Sequence, residues 1–173
     1  PDHITEELLQ EIKNNPKVLH YIDMPLQHIS DNVLHAMNRQ STSESIKNLI
    51  EKLRREIPDI AIRSTFMVGF PGETDEDVKE LIKFLKKAKL DNVGFFKYSR
   101  EKGTPAYSMK DQISETKKDE RLALVQKAQK AVATKINKSR VGKTFKVLID
   151  RFDSELNCYV GRAYFCAPDV DFE

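Results

Sequence analysis

The stretch IAIRSTFMVGFPGETDED, residues 60–77, decides the fold. It starts as an apolar strand, breaks at Gly69-Phe70-Pro71-Gly72 and restarts as a helix behind Thr74. Thr74 with Asp77 three residues on resembles a capping box, in which each side chain satisfies the other's backbone N–H. Val78, Leu81, Ile82 and Leu85 then recur at helical spacing and form the buried stripe of that helix. A handover from strand to helix is where α/β proteins place their sites. Arg63 stands inside a run otherwise suited to burial. The helix start is acidic, with Glu73, Asp75, Glu76 and Asp77 crowding it. Those charges suit the helix dipole and work against a phosphate docking there.

Upstream, Ile4, Leu8, Leu9 and Ile12 recur at helical spacing behind a Thr5 cap, and Asn14-Asn15-Pro16 stops that helix. Residues 18–27 (VLHYIDMPLQ) read as a strand with Pro25 near its exit. Ser30-Asp31 opens a short helix through Val33, Leu34 and Met37. Ile46, Leu49, Ile50, Leu53 and Ile57 mark another, capped by Ser43 and stopped by Pro58. Downstream, residues 91–99 (DNVGFFKYS) read as a third strand, followed by a Gly103-Thr104-Pro105 loop. Ser114 starts a helix of roughly 25 residues, long for a globular protein, with Leu122, Val125, Val132 and Ile136 on one side and Gly142 at its stop.

Up to about residue 140 helices and strands alternate, which predicts parallel strands joined by crossover helices. After Gly142 the pattern changes. Residues 144–152 (TFKVLIDRF), a polar turn at Asp153-Ser154-Glu155 and residues 158–165 (CYVGRAYF) predict antiparallel β structure. It reads as the first part of a small barrel that the chain does not complete.

The chain of 173 residues holds one domain, or one domain with a small appendage. Its net charge of +2, from 29 basic and 27 acidic residues, gives no support for nucleic-acid binding by bulk charge. The two cysteines, Cys158 and Cys166, lack a zinc or iron–sulfur spacing and read as free thiols. His20, His28 and His35 share no ligand spacing, so no metal site is expected. No apolar run approaches the ~20 residues of a membrane span, and no signal peptide is visible. The chain starts at Pro1 and ends in Asp169-Val170-Asp171-Phe172-Glu173; both ends read as cuts in a longer protein.

Strand parity tells which residues share a face. In the second strand Arg63, Thr65, Met67 and Gly69 oppose Ile62, Ser64, Phe66 and Val68, the better face for packing helices. In the first, Tyr21, Asp23, Pro25 and Gln27 oppose Ile22, Met24 and Leu26. In the third, Gly94, Phe96 and Tyr98 oppose Val93, Phe95, Lys97 and Ser99. In a barrel the polar face points inward, where an arginine can fork onto a carboxylate. Bland readings stand beside these. Arg63 can pair with Asp23 across the sheet, Phe96 and Tyr98 can be core, Gln27 and His28 can order a loop, and the Pro-Gly corner can be a plain turn.

Together three runs resemble the radical S-adenosylmethionine methylthiotransferases: residues 21–39 (YIDMPLQHISDNVLHAMNR), 62–77 (IRSTFMVGFPGETDED) and 93–106 (VGFFKYSREKGTPA). The tail GRAYFCAPDVD, residues 161–171, resembles the branch that modifies an aspartate of a small-subunit ribosomal protein (the RimO type) rather than the transfer-RNA branch (the MiaB type). The resemblance implies an α/β fold: the C-terminal half of a radical SAM TIM-like barrel over 1–140, then a truncated antiparallel TRAM domain over 141–173. It implies S-adenosylmethionine and two 4Fe-4S clusters as cofactors of the full enzyme, with the three-cysteine CxxxCxxC motif absent from this chain. In that family a cluster splits the cofactor to a 5′-deoxyadenosyl radical, which abstracts hydrogen before a methylthio group is inserted.

On this likeness Arg63 would meet the methionine carboxylate, and Gln27 and Thr65 would contact the ribose or amino group. Val68, Phe70, Phe96 and Tyr98 would flank the adenine, and Lys143 and Arg162 in the tail would bind the substrate. No catalytic residue and no metal ligand is assigned. A cytoplasmic location is implied, and the fragment alone is expected to be inactive. A half barrel has open edges and an uncovered inner face, so self-association is expected too. Two rivals remain. A non-catalytic binding module could use Lys143, Lys146, Arg151 and Arg162 for RNA or a ribosomal protein. An unrelated phosphate-binding domain could use residues 69–72, against its acidic helix start.

Overall fold

The computed structural model describes residues 4–168 and 170–171; Asp169 of the tail motif and the outermost residues of both ends lie outside the described residues. Five helices and five strands follow in the order α1 Glu6–Asn14, β1 Tyr21–Asp23, α2 Asp31–Ala36, α3 Ser43–Glu56, β2 Ala61–Val68, α4 Asp75–Ala88, β3 Asn92–Lys97, α5 Glu115–Arg140, β4 Val147–Asp153 and β5 Cys158–Ala163. A 3₁₀ turn, Pro105–Ser108, lies between β3 and α5. The first three strands form a parallel sheet in the order β1-β2-β3, and β4-β5 pair antiparallel. This is the alternation expected before Gly142 and the switch expected after it.

Local chemistry explains the boundaries. Thr74 Oγ accepts the Asp77 N–H at 3.2 Å while Asp77 Oδ2 accepts the Thr74 N–H at 2.7 Å, completing the capping box on α4. For α3 the cap is Thr42, one residue before the expected Ser43, because Ser45 stands three residues later to return the bond. The first strand is shorter than the sequence suggests. Pro25 offers no N–H, so regular pairing stops at Asp23, and the ladder resumes only at a lone bridge between Gln27 and Phe66.

The sheet has two unlike faces, as the alternation of β2 predicts. Ile62, Ser64, Phe66 and Val68 are completely buried beneath the helices. Ile62, Phe66 and Val68 join Leu9, Ile46, Leu53, Leu81, Leu85 and Val125 in one apolar cluster, so α1, α3, α4 and α5 all contribute. Ser64 is tolerated there because its hydroxyl donates to the Met24 carbonyl at 2.8 Å and accepts the Leu26 N–H at 3.3 Å, anchoring the chain leaving β1. Arg63, Thr65 and Met67, on the other face, are only partly buried. Phe96, on that face, is 58% exposed among the described residues.

The hairpin β4–β5 carries a register shift between Ile149 and Arg151. Its turn is held by Asp153 Oδ1, which accepts the N–H groups of Glu155 and Leu156 at 3.0 Å each. Gly161 has to be glycine: a Cβ there would lie 2.4 Å from the Leu148 carbonyl oxygen of the paired strand.

Candidate functional site

Residues Gln27 and Phe70 come together at the C-terminal ends of β1 and β2. They line a cavity of about 280 Å³ whose wall also includes Met37, Met67, Pro105, Ala106 and Met109. Gln27 adopts a left-handed backbone, φ 68°, a conformation that costs a side-chain-bearing residue strain. Two ladder bonds hold it there: its N–H donates to the Thr65 carbonyl at 2.8 Å, and its carbonyl accepts the Met67 N–H at 2.8 Å. Phe70 packs edge-on against Tyr98 with ring centres 5.2 Å apart, and both pack on Val33.

A buried polar cluster fixes the loop behind that cavity. Glu73 Oε2 accepts the Gly69 N–H at 2.7 Å and the Arg121 guanidinium at 2.8 Å. Arg121 also reaches Asp75 at 2.9 Å. His28 Nδ1 accepts the Ser30 N–H at 3.0 Å, so the ring proton belongs on Nε2, which lies 3.3 Å from Glu73 Oε1. Among the described residues neither of those last two atoms has a hydrogen-bond partner. Lys118 completes the clamp, its ammonium donating to the Tyr98 carbonyl at 2.9 Å while its stem fills the space a Cβ on Gly69 would need. The turn Gly69–Gly72 is thereby tied to α5, and Gly69 takes a φ of 78° that suits glycine.

Arg63 lies elsewhere. Its register partners are Asp23 and Asn92, the first residue of β3, so it sits towards the N-terminal ends of the strands. Its Nη1 meets Asp23 Oδ2 at 2.6 Å and its Nε meets Asp171 Oδ1 at 3.3 Å. Burial opposes the charge, but the Asp23 hydrogen bond and the Asp171 carboxylate outweigh it and hold the guanidinium pKa above its usual value. Tyr21 donates to Asp171 Oδ2 at 2.6 Å; burial first and that carboxylate second push its phenol well above its ordinary pKa. The pairing of Arg63 with Asp23 is thus the one the sequence left open, joined by a tail aspartate it did not anticipate.

The remaining expected residues divide. Thr65 lies mid-strand on the open face opposite Gly94, and Phe96 stands beside Met67 on the same face. Val68 is buried against the helices, so its side chain points away from the cavity; Met67, its neighbour of opposite parity, lines it instead. Tyr98 follows the end of β3 and is buried under Lys118, 5.3 Å from its ring, rather than standing free with Phe96. In the hairpin region, Arg162 pairs with Asp150 at 2.6 Å and Lys143 is exposed. Met37 was read from the sequence only as part of the α2 stripe and Met109 not at all. Neither carries a signal for the cavity; Met67 was legible on its wall, sharing the parity of Arg63 and Thr65.

Among the described residues no three His, Cys, Asp or Glu side chains gather as a metal site. Cys158 and Cys166 are both free and lie in the hairpin region. The cavity is mostly apolar, with Gln27, Asn38, Arg39 and Thr104 as its polar lining residues. No helix among the described residues is long and apolar enough to cross a membrane.

A parallel sheet with its cavity at the strands' C-terminal ends, followed by an antiparallel hairpin, defines a class, and family comparison agrees. The Radical SAM superfamily profile matches residues 1–85 and the TRAM domain profile matches residues 141–173. Within that class the chain is similar to the methylthiotransferases of the RimO type. It is 47% identical over 171 residues to the ribosomal protein uS12 methylthiotransferase RimO of Clostridium novyi, covering 99% of this chain and 38% of that protein. The same-named proteins of Carboxydothermus hydrogenoformans and Clostridium perfringens are 48% and 49% identical over 171 residues. The chain thus spans about two fifths of its relatives' length, 38% of the Clostridium perfringens protein and 39% of the Carboxydothermus one. Among solved structures, Streptococcus suis SuiB superposes with a TM-score of 0.48 at 15% identity, over 80% of this chain and 29% of that one.

Proposed function

We propose that the whole protein is a radical SAM enzyme that attaches a methylthio group to the β carbon of an aspartate in the small-subunit ribosomal protein uS12. The observation that carries this reading is the likeness to RimO enzymes, 46% to 49% over 171 residues, which runs through the barrel part and the tail together. S-adenosylmethionine supplies the radical chemistry when bound, with two 4Fe-4S clusters held by parts of the enzyme other than the described residues. In this chain Gln27, Thr65, Met67 and Phe70 cradle the nucleoside end of the cofactor, Phe96 flanks it from the open face, and Val68 contributes backbone only. Tyr98 supports Phe70. Arg63 anchors the tail through Asp171 rather than holding a ligand. Lys143 and Arg162 contact the protein substrate, the domain boundary falls at 140/141, and the enzyme works in the cytoplasm beside the ribosome. Without cluster ligands the chain alone is inactive, and its open sheet face drives self-association; one monomeric peak in concentrated gel filtration would count against that last point.

The decisive experiment offers the full-length, cluster-reconstituted protein uS12 and transfer RNA side by side, with S-adenosylmethionine and a reductant. Mass spectrometry is expected to find a methylthio group in place of one hydrogen on a uS12 aspartate. Modification of transfer RNA instead, or of neither, would sink the reading.

A further inference from the structure

The cavity at the C-terminal ends of the strands contains one charged side chain. Its wall is methionine, phenylalanine, alanine and proline, with the polar groups of Gln27, Asn38 and Thr104, and the single ion is Arg39. Arginines elsewhere are engaged: Arg63 and Arg121 each hold two carboxylates, Arg140 holds Asp91, and Arg100 holds the Tyr107 carbonyl. Arg39 is different, for among the described residues its guanidinium has neither an ion pair nor a hydrogen bond.

Its backbone, by contrast, is fixed. Helix α2 ends with Asn38 in the left-handed conformation, φ 56°. The Asn38 N–H donates to the His35 carbonyl and the Arg39 N–H to the Leu34 carbonyl, both at 2.9 Å. These two bonds are the pair that closes a helix in a Schellman motif. The sequence therefore plants the base of Arg39 rigidly at the cavity rim and leaves the fork free. A partnerless guanidinium costs nothing while it is exposed, as Arg39 is. It becomes the natural counter-ion of any anion that enters, because an apolar wall strengthens the attraction and an unpaired carboxylate there would be expensive.

We infer that Arg39 binds a carboxylate at the mouth of this cavity, by the two-pronged pairing that guanidinium and carboxylate geometry favours. The inference rests on the proposed methylthiotransferase function, which brings two such groups to the same place: the amino-acid end of S-adenosylmethionine and the side chain of the substrate aspartate. Both present the same chemistry. Arg39 is then the specificity-determining arginine of this chain, the part the sequence suggested for Arg63.

Calorimetry on the full-length protein and its Arg39→Gln and Arg39→Lys variants tests this without cluster chemistry. Two ligand pairs serve: S-adenosylhomocysteine against 5′-methylthioadenosine, which lacks the carboxylate, and a uS12 peptide centred on the modified aspartate against the same peptide with asparagine. R39Q is expected to weaken at least one carboxylate-bearing ligand roughly 10- to 100-fold, the range of charge-assisted hydrogen bonds. Its carboxylate-free counterpart should stay within about twofold, since no bond of this kind is lost. R39K should recover part of the loss, and both variants should melt with the wild type, since Arg39 supports nothing else. A loss confined to S-adenosylhomocysteine assigns Arg39 to the cofactor, and a loss confined to the aspartate peptide assigns it to the substrate. Equal affinities in wild type and R39Q, or a uniform loss across all four ligands, overturn the inference alone. A wild type that binds none of the four overturns it together with the proposed function.

Discussion

The two faces of β2 differ in almost every respect although they alternate residue by residue. One is sealed: Ile62, Ser64, Phe66 and Val68 have no exposed surface. The other is polar and open, with an arginine paired to acids at one end and a methionine lining a cavity at the other. The sealed face carries the stability of the sheet, and the proposed site lies on the open face. A single strand can do both because successive side chains point to opposite sides, so substitutions one residue apart should have unrelated consequences.

The largest expected effect lies on the sealed side. Phe66 contacts Phe84 and Phe95, with ring centres 6.1 Å away in each case. Phe66→Ala should cost about 3–5 kcal/mol, read by urea denaturation, whereas Thr65→Ala should cost under about 1 kcal/mol. Similar losses at both positions would erase the contrast. A smaller effect belongs to the cap that leads from β2 into α4. Burial works against the Asp77 charge, but hydrogen bonds from Ser30 and Thr74 prevail and hold its carboxyl below the usual range. The stabilisation is thus present above the unfolded-state pKa and is lost as pH falls through the lower folded value. Asp77→Asn should destabilise by about 1 kcal/mol at neutral pH and by progressively less in acid. A pH-independent difference between the two proteins would remove the electrostatic account. The smallest stability effect lies on the open side: Phe96→Asp should change stability by less than about 0.5 kcal/mol. It should nevertheless shift gel-filtration elution towards the monomer, and unchanged elution would detach Phe96 from self-association.

Periodicity made the layout legible. The stripe of α4, the parity of β2 and the capping box at Thr74 each follow from local rules, and each appears where those rules put it, whereas Leu8 of the α1 pattern is exposed. The site was legible only in part. Gln27 and Phe70 stand next to sequence breaks, which mark them. Arg63 drew attention as a charge in an apolar run, yet the charge is answered by Asp23 across the sheet and by Asp171 far along the chain. Arg39 looked ordinary because nothing local distinguishes an arginine after a helix; its lack of a partner among the described residues is a property of three-dimensional surroundings. The clamp of His28, Glu73 and Arg121 was hidden for the same reason, its members coming from three separate segments.

The hydrogen bond from Tyr21 to Asp171 joins residues 150 apart. During synthesis at ~5–20 residues per second, β1 leaves the exit tunnel roughly 8 to 30 s before its tail partner. Helices that fold in microseconds have long since sealed one side of the sheet by then. Arg63 and Tyr21 therefore wait in the open, and the arrival of Asp171 is a late signal that the chain has been translated this far.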